Sequence, residues 1–584
     1  MILRRIVFVT VIAAIVLVAV YEGIALRESI FNETQHLRFS NDANNGYRWG
    51  QNARIWGLFE LYDLLEQHYP IRAIYDLDYT PLRLAVVTGW NDLNHHRYTD
   101  ADYWRRDFDF TAPMLWFNTI ATLVASLFAF LLVRMWIIES AKPRRPIDLK
   151  PRPFCGVIPA LVAGLLLWFN PAALWDGYVW GQWEVWIIPF YLAAVYFACI
   201  DCWFIAGASI AIGAMLKPQL LVAAPVLLLW PLFELRLGAL LRIVAGLALM
   251  TMLIVFPWLK LSKPAFIWYL LAISGLALLT PVALRWKLRT PWIAACAIAA
   301  LLLVFPWTSS SSLVLRLIPL SLPGITALAR LLSARLVPHL YALLIACVIS
   351  LTIPLHHASS AWFSCGITNG PITRPAMFQK PVYNIPSMGV TYLRWQNSTN
   401  YSIELPLIGR TTVWAFMIAL QGMCLVLSGV GAAIQHRNRD KRFLAAMTLP
   451  WLTFYMTLTQ QQSRYLMWAA TVGALLVALG PGMAVLGILI SLLGWISIHQ
   501  SVTFAAGGSL HDYSWIPGLD PHAGWILLMI TLILMYLALV PCKRAAAMVP
   551  PDQNLPAHNT PAAHSHPETA AVCQNLSRRA AYPM

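Results

Sequence analysis

Half of the acidic residues of this chain, 13 of 26, fall between residues 25 and 112. Two short stretches stand out there: Asn41-Asp42-Ala43-Asn44-Asn45-Gly46-Tyr47-Arg48-Trp49 and Tyr75-Asp76-Leu77-Asp78-Tyr79-Thr80-Pro81-Leu82-Arg83. Carboxylates are common acids and bases of enzymes, so Asp42, Asp76 and Asp78 are candidates for proton transfer. Three later stretches supply complementary groups. Asn170-Pro171 leads to Asp176 and then to Trp180-Gly181-Gln182-Trp183-Glu184; Lys217-Pro218-Gln219 follows; Gln460 to Tyr465 brings in Arg464 and Tyr465. A base for a hydroxyl proton, with cations and amides for a developing anion, is the equipment of a group-transfer reaction with an anionic leaving group.

Other chemistries lack their patterns. No glycine-rich phosphate loop stands in a strand-to-helix context, so a nucleotide fold is not indicated. The nine cysteines are scattered; Cys199 and Cys202 form a CxxC by count, but across a turn at Asp201, and read as packing residues. Cys365 is the only cysteine in an expected outer loop, so no disulfide framework is implied. His356-His357 reads as the start of a solvated loop, and neither a metal nor another cofactor is expected.

The elements that must position these residues are membrane helices. The chain is 59% hydrophobic and 11% charged, with a mean hydropathy of +0.63, against about 25% charged residues in a soluble domain. Continuous apolar runs recur from residue 113 to residue 541, which indicates a polytopic, all-α transmembrane bundle and excludes the alternating pattern of a β-barrel. The net charge of +15 has a source other than nucleic-acid binding. It arises from Lys and Arg at cytoplasmic helix ends: Lys142 to Arg152, Arg236 and Arg242, Arg285 to Arg289, Arg330 and Arg335, Arg437 to Arg442, Lys543 and Arg544. This bias predicts about 16 spans with both termini inside. Met1 to about Tyr21 has the charge and apolar run of a signal peptide but no convincing cleavage site, so it is expected to be a retained first span. Residues 1–355 form the first module, including the polar loop 25–112, which is expected to be extracytoplasmic and helical. Residues 356–411 form a second outer loop, 412–544 the last spans, and 545–584 a Pro-, Ala-, His- and Ser-rich cytoplasmic tail. The stripe from Trp56 to Leu65 predicts a short amphipathic helix on the membrane surface.

The order of these motifs resembles that of the GT-C membrane glycosyltransferases, among them the bacterial family 87 enzymes, the endoplasmic-reticulum glucosyltransferases that extend lipid-linked oligosaccharide, and the GPI mannosyltransferases. The likeness rests on Asn170-Pro171, Asp176, Trp180-Gly181-Gln182 and Lys217-Pro218-Gln219, with Asp78-Tyr79-Thr80-Pro81-Leu82 late in the first loop. It covers about residues 1–235, and Arg464-Tyr465 is a weaker match. It implies a polyprenyl-phosphate-linked sugar donor, a lipid-linked or cell-envelope glycan acceptor, and transfer at the outer face. Asp42 then takes the role of the base. Ala43-Asn44-Asn45-Gly46 follows it where the family has an aromatic or Tyr-Glu, which keeps Asp76 and Asp78 as rivals. Lys217, Arg464, Gln182, Asp176, Gln219 and Tyr465 become the donor and phosphate site.

Each position also has a plainer reading. Asp42 could serve a turn or a helix cap, Asp78 a cap ahead of Arg83, Asp176 and Gln182 a helix end, and Lys217 could reach to the membrane interface. A secondary transporter is the rival function, although no repeat of the two halves is visible; a GT-C-like protein without activity is a third.

Overall fold

The computed structural model describes residues 2–37, 41–67, 77, 79–98, 107–141, 156–259, 361–368, 382–405, 409–506 and 519–541. The protein there is mostly helical. Among the described residues, seven helices are long and apolar enough to cross a membrane: Ile6–Glu33, Phe108–Ala141, Val157–Tyr178, Leu237–Trp258, Val413–Arg437, Pro481–Ala505 and His522–Leu539. Five shorter apolar helices accompany them: Glu184–Cys199, Trp203–Leu216, Leu220–Phe233, Phe443–Thr457 and Ser463–Leu479. Each falls where an apolar run predicts a span. These features fit a multi-pass integral membrane protein. By length alone a 14-residue helix such as Trp203–Leu216 rises about 21 Å, less than a hydrocarbon core of about 30 Å. The predicted spans between residues 260 and 355, the loop carboxylates Asp76 and Asp78, and the tail 545–584 lie outside the described residues.

Outward-facing residues of the first helix explain its place at the edge of the bundle. Leu17 is 71% exposed and Val18 60% exposed, which only lipid accommodates at low cost. This helix continues to Glu33, well past the apolar run that marks it in the sequence, and is clipped to its neighbour by Arg27. The buried guanidinium donates to the carbonyls of Gly23 (2.7 Å) and Trp168 (2.8 Å) and stacks on the Trp168 ring.

The two transmembrane portions of the sequence share one core, within a compact unit that runs from Met1 to Pro541. The Tyr191 hydroxyl donates to the Met447 carbonyl at 2.6 Å, and Asn170 Nδ2 to the Ala470 carbonyl at 3.1 Å. The closest backbone approach joins Trp203–Leu216 to Leu237–Val255. A Cβ on Gly207 would lie 1.9 Å from the Ile243 carbonyl oxygen, and one on Gly246 would lie 1.9 Å from that of Phe204. Backbone on both sides cannot yield, so Gly207→Val is expected to force these helices apart and to cost about 1–3 kcal/mol, the usual scale of overpacking. Thermal unfolding in detergent measures this; an unchanged melting temperature would contradict the close packing.

At one end of the bundle, charged groups tie the connections 200–202 and 234–236 to the end of the helix Val413–Arg437. Arg236 pairs with Asp201 and lies 3.7 Å from Glu234, whose Oε1 meets His436 Nδ1 at 2.7 Å, while Arg437 donates to the Phe233 carbonyl at 2.9 Å. Burial raises both carboxyls, yet Arg236 holds Asp201, and His436 holds Glu234, below the usual carboxylate range. These are the termini that the basic bias assigns to one side of the membrane.

The segment 56–67 differs from its expectation. The stripe breaks at Gly57, where φ is +96°, and the helix is Leu61–Gln67. Leu61, Tyr62 and Leu65 are buried within the protein. The apolar face that suggested a membrane-surface helix packs on the chain itself, because the Tyr62 hydroxyl reaches the Tyr79 carbonyl at 2.6 Å. In the second loop, Asn384 and Ser387 form a reciprocal cap that starts the helix Ile385–Tyr392. Strands Ser402–Leu405 and Gly409–Thr412 pair antiparallel. Tyr383 anchors this loop to two helices: its backbone N–H donates to the Tyr455 hydroxyl at 3.0 Å, and its hydroxyl to Gln500 Oε1 at 2.5 Å.

Candidate functional site

Asn170-Pro171 opens the helix that carries Asp176. The Asn170 side-chain oxygen accepts from the N–H groups of Ala172 (3.1 Å) and Ala173 (3.2 Å), and Pro171 occupies the first helical position, where a missing N–H costs nothing. The helix ends at Tyr178 and the chain turns back at Gly181, φ +71°, with the Gln182 N–H donating to the Asp176 carbonyl at 2.9 Å. Asn118, from the long helix Phe108–Ala141, fastens this turn. Its Nδ2 donates to the carbonyls of Gln182 (3.0 Å) and Gly177 (3.3 Å), and its Oδ1 accepts from Trp186 Nε1 at 2.6 Å.

The turn delivers Glu184 to the centre of the molecule. Glu184 is 0% exposed, as is Asp176. One oxygen, Glu184 Oε1, accepts from Lys217 Nζ and from Arg464 Nε, the latter at 3.0 Å. Lys217 lies one residue past the helix Trp203–Leu216, and Arg464 lies in the short turn that opens the helix Leu466–Val472. Trp468 Nε1 donates to the Glu184 carbonyl at 2.8 Å. Lys217 and Arg464 thus meet on one carboxylate from positions 247 residues apart in the chain (464 − 217). Asp176 shares the field of the same Glu184, Arg464 and Lys217.

A third cation joins them. The motif before it, Tyr79-Thr80-Pro81, is held against the end of Trp203–Leu216: Thr80 Oγ1 donates to the Met215 carbonyl at 2.5 Å, and Pro81 begins the helix Pro81–Asn94. Arg83, 1% exposed, lies between two rings, 3.4 Å from the centroid of Tyr79 and 4.1 Å from that of Trp183. Aromatic rings surround the other cations too. Lys217 Nζ is 5.6 Å from the Trp468 ring and 5.8 Å from both Tyr79 and Tyr465, and Arg464 is 5.2 Å from the Trp180 ring. Tyr465 stacks on Trp468 at 4.9 Å. Arg83 acts on Lys217, so three basic side chains, Arg83, Lys217 and Arg464, gather with two acidic ones, Asp176 and Glu184. The ring faces favour the buried cations themselves, and the surplus of basic side chains suits an anion. No group of three His, Cys, Asp or Glu side chains placed to hold a metal occurs among the described residues.

Of the residues singled out in the sequence, the structure brings Asp176, Lys217, Arg464 and Tyr465 together. Gln182 is buried in the turn that leads to Glu184, and Gln219 stands two residues beyond Lys217. Asp42 belongs to the first turn of the helix Asn41–Trp56. That helix rests on the site: Gly46 abuts Trp183, where a Cβ would come within 2.2 Å of the ring. Asp42 and Gly46 are four residues apart in that helix, about one turn.

Sequence reasoning included Glu184 and Arg83 in its stretches without giving them a role, and passed over Asn118. Glu184 did carry a signal, as a carboxylate directly ahead of the apolar run 185–199, where a charge is expensive unless paired. Arg83 in Leu82-Arg83-Leu84 and Asn118 within a predicted span carried the same kind of signal. No known protein family, curated protein or solved structure matches the chain.

Proposed function

We propose that the protein is a membrane glycosyltransferase of GT-C type that transfers a hexose, mannose by preference, from a polyprenyl-phosphate carrier to a lipid-linked or cell-envelope glycan acceptor at the outer face. The observation that carries this reading is the convergence of Lys217 and Arg464 on Glu184 beside Asp176. Buried charges within an apolar bundle are costly and mark function by default, and the excess positive charge suits the phosphate of such a donor. In the reaction an acceptor oxygen bonds to the anomeric carbon while the carbon–oxygen bond to phosphate breaks. The acceptor proton passes to a carboxylate, and the carrier phosphate leaves with the bonding electrons. The configuration inverts. Asp42 is assigned as that base, with Asp76 and Asp78 as its rivals, and Lys217 and Arg464 stabilise the leaving phosphate. Gln182, Gln219 and Tyr465 complete the donor site. Glu184 holds the two cations in place between turnovers.

Purified protein in lipid nanodiscs, given a polyprenyl-phosphate hexose and an extract of lipid-linked acceptors, is expected to release free polyprenyl phosphate and to glycosylate the acceptor. Solute flux in sealed vesicles with no covalent change would instead assign a secondary transporter.

The proposal includes about 16 spans, cytoplasmic termini, and loops 25–112 and 356–411 on the outer side. Gln396→Cys, at an exposed position of the second loop, and Ala557→Cys, in the tail, test this in a background stripped of reactive cysteines. The first is expected to react with an impermeant maleimide in intact cells and the second only after permeabilisation. Equal labelling of both would overturn the topology.

A further inference from the structure

We infer that buried acceptor atoms of Glu184, Gln461 and Gln462 bind hydroxyl groups of the transferred sugar; the inference rests on the function proposed above and assigns its sugar-binding groups. Three buried oxygens carry it. Glu184 Oε2, Gln461 Oε1 and Gln462 Oε1 meet no donor in hydrogen-bonding geometry among the described residues. Gln461 is 2% exposed and Gln462 8% exposed. Buried acceptors almost always have a donor, and each one left alone costs about 1–3 kcal/mol. A group of them in one chain is therefore a signal for a ligand that brings donors.

The chemistry of that ligand follows from what surrounds the oxygens. Gln461 and Gln462 immediately precede the turn that holds Arg464, and Glu184 Oε2 belongs to the carboxylate whose other oxygen takes Lys217 and Arg464. One donor-seeking oxygen thus shares its carboxylate with two anion-seeking cations, and the other two belong to residues directly ahead of Arg464 in the chain. A ligand that satisfies both carries an anionic group beside several hydroxyls. A second cation would satisfy the oxygens but would meet Lys217, Arg464 and Arg83. The stacked pair Tyr465 and Trp468 supplies an apolar ring face beside these charges, suited to the C–H face of a pyranose. A sugar phosphate diester fits this combination; a bare lipid phosphate leaves the oxygens unsatisfied.

The test compares two carriers of equal charge, a polyprenyl-phosphate hexose and a polyprenyl methyl phosphate, which has no hydroxyls. Binding to the full-length protein in nanodiscs is followed by intrinsic tryptophan fluorescence. Wild-type protein is expected to prefer the hexose carrier. Gln461→Met and Gln462→Met are each expected to weaken hexose-carrier binding about tenfold, the equivalent of one hydrogen bond of about 1.4 kcal/mol, and to leave methyl-carrier binding within about twofold. Gln461→Glu, which retains an acceptor, is expected to preserve the preference. Equal weakening of both carriers by the Met variants, or no weakening of either, overturns the inference and leaves the glycosyltransferase reading standing. Failure of wild-type protein to bind either carrier overturns both.

Discussion

Glu184→Gln is expected to cost the protein both stability and turnover, by the largest margin of any single substitution at the site. Oε1 of Glu184 accepts from Lys217 and Arg464 at once, in a position closed to solvent. Removing its charge leaves these two cations and Arg83 with only Asp176 to oppose them. Removing one partner of a buried ion pair costs about 3–5 kcal/mol, because the remaining charge keeps its desolvation penalty. Thermal unfolding of the purified variant measures this. Adding Lys217→Met to Glu184→Gln exchanges a stranded ammonium for an apolar side chain of similar volume, and is expected to recover much of the lost stability. Turnover is not expected to return with it. Loss of one electrostatic stabiliser of a developing anion lowers turnover by about 100- to 1000-fold. Recovered folding without recovered turnover separates the chemical role of Lys217 from its structural one. If Glu184→Gln melts like the wild type, the three side chains do not form the buried triad described here.

What the sequence reveals of this molecule follows the physics of each feature. Apolar runs report the match between a helix and hydrocarbon, so Trp203–Leu216 is readable almost to the residue. The same runs say nothing of where a helix ends: the first helix continues to Glu33, past an Arg27 that donates to the Gly23 and Trp168 carbonyls, which no run of apolar residues records. The meeting of Lys217 with Arg464 could be anticipated, since both are cations at helix ends of the same expected side. Their common partner could not. The contact of Arg464 with Glu184 spans 280 residues of chain, and a single sequence contains no signal for such a pair. Arg83 was hidden for a different reason. Its environment is two aromatic rings, Tyr79 from its own segment and Trp183 from a distant turn, and stacking depends on orientation that composition does not encode. The helix of residues 61–67 was misplaced because an amphipathic stripe states that one face is buried, not whether lipid or protein buries it.

Asp42→Asn is expected to lower turnover by about 100-fold or more while leaving donor binding and folding largely intact, the usual scale of losing a general base. The substitution keeps the shape of the side chain and removes its charge. Three observations bear on the choice of this carboxylate. Asp42 stands in the first turn of the helix Asn41–Trp56, where negative charge is favourable to the helix. It is one turn from Gly46, and Gly46 lies against Trp183, the residue next to Glu184. A Gly46 side chain would push this helix off that ring, so the sequence Asn44-Asn45-Gly46, which sets the chain apart from the family it resembles, has a packing reason of its own. Asp176 is the contrasting carboxylate. It is fully enclosed beside the cations, a place suited to holding the donor rather than to meeting an incoming acceptor. Asp176→Asn is therefore expected to weaken donor binding along with turnover, whereas Asp42→Asn is expected to spare it. Asp76→Asn and Asp78→Asn are each expected to cost less turnover than Asp42→Asn. Single-turnover assays with saturating donor, together with donor binding by fluorescence, separate these cases. Near-normal turnover in Asp42→Asn with abolished turnover in Asp78→Asn would move the base to the second stretch of the loop. Full activity in all four variants would remove the chemical basis of the glycosyltransferase proposal and turn attention to transport.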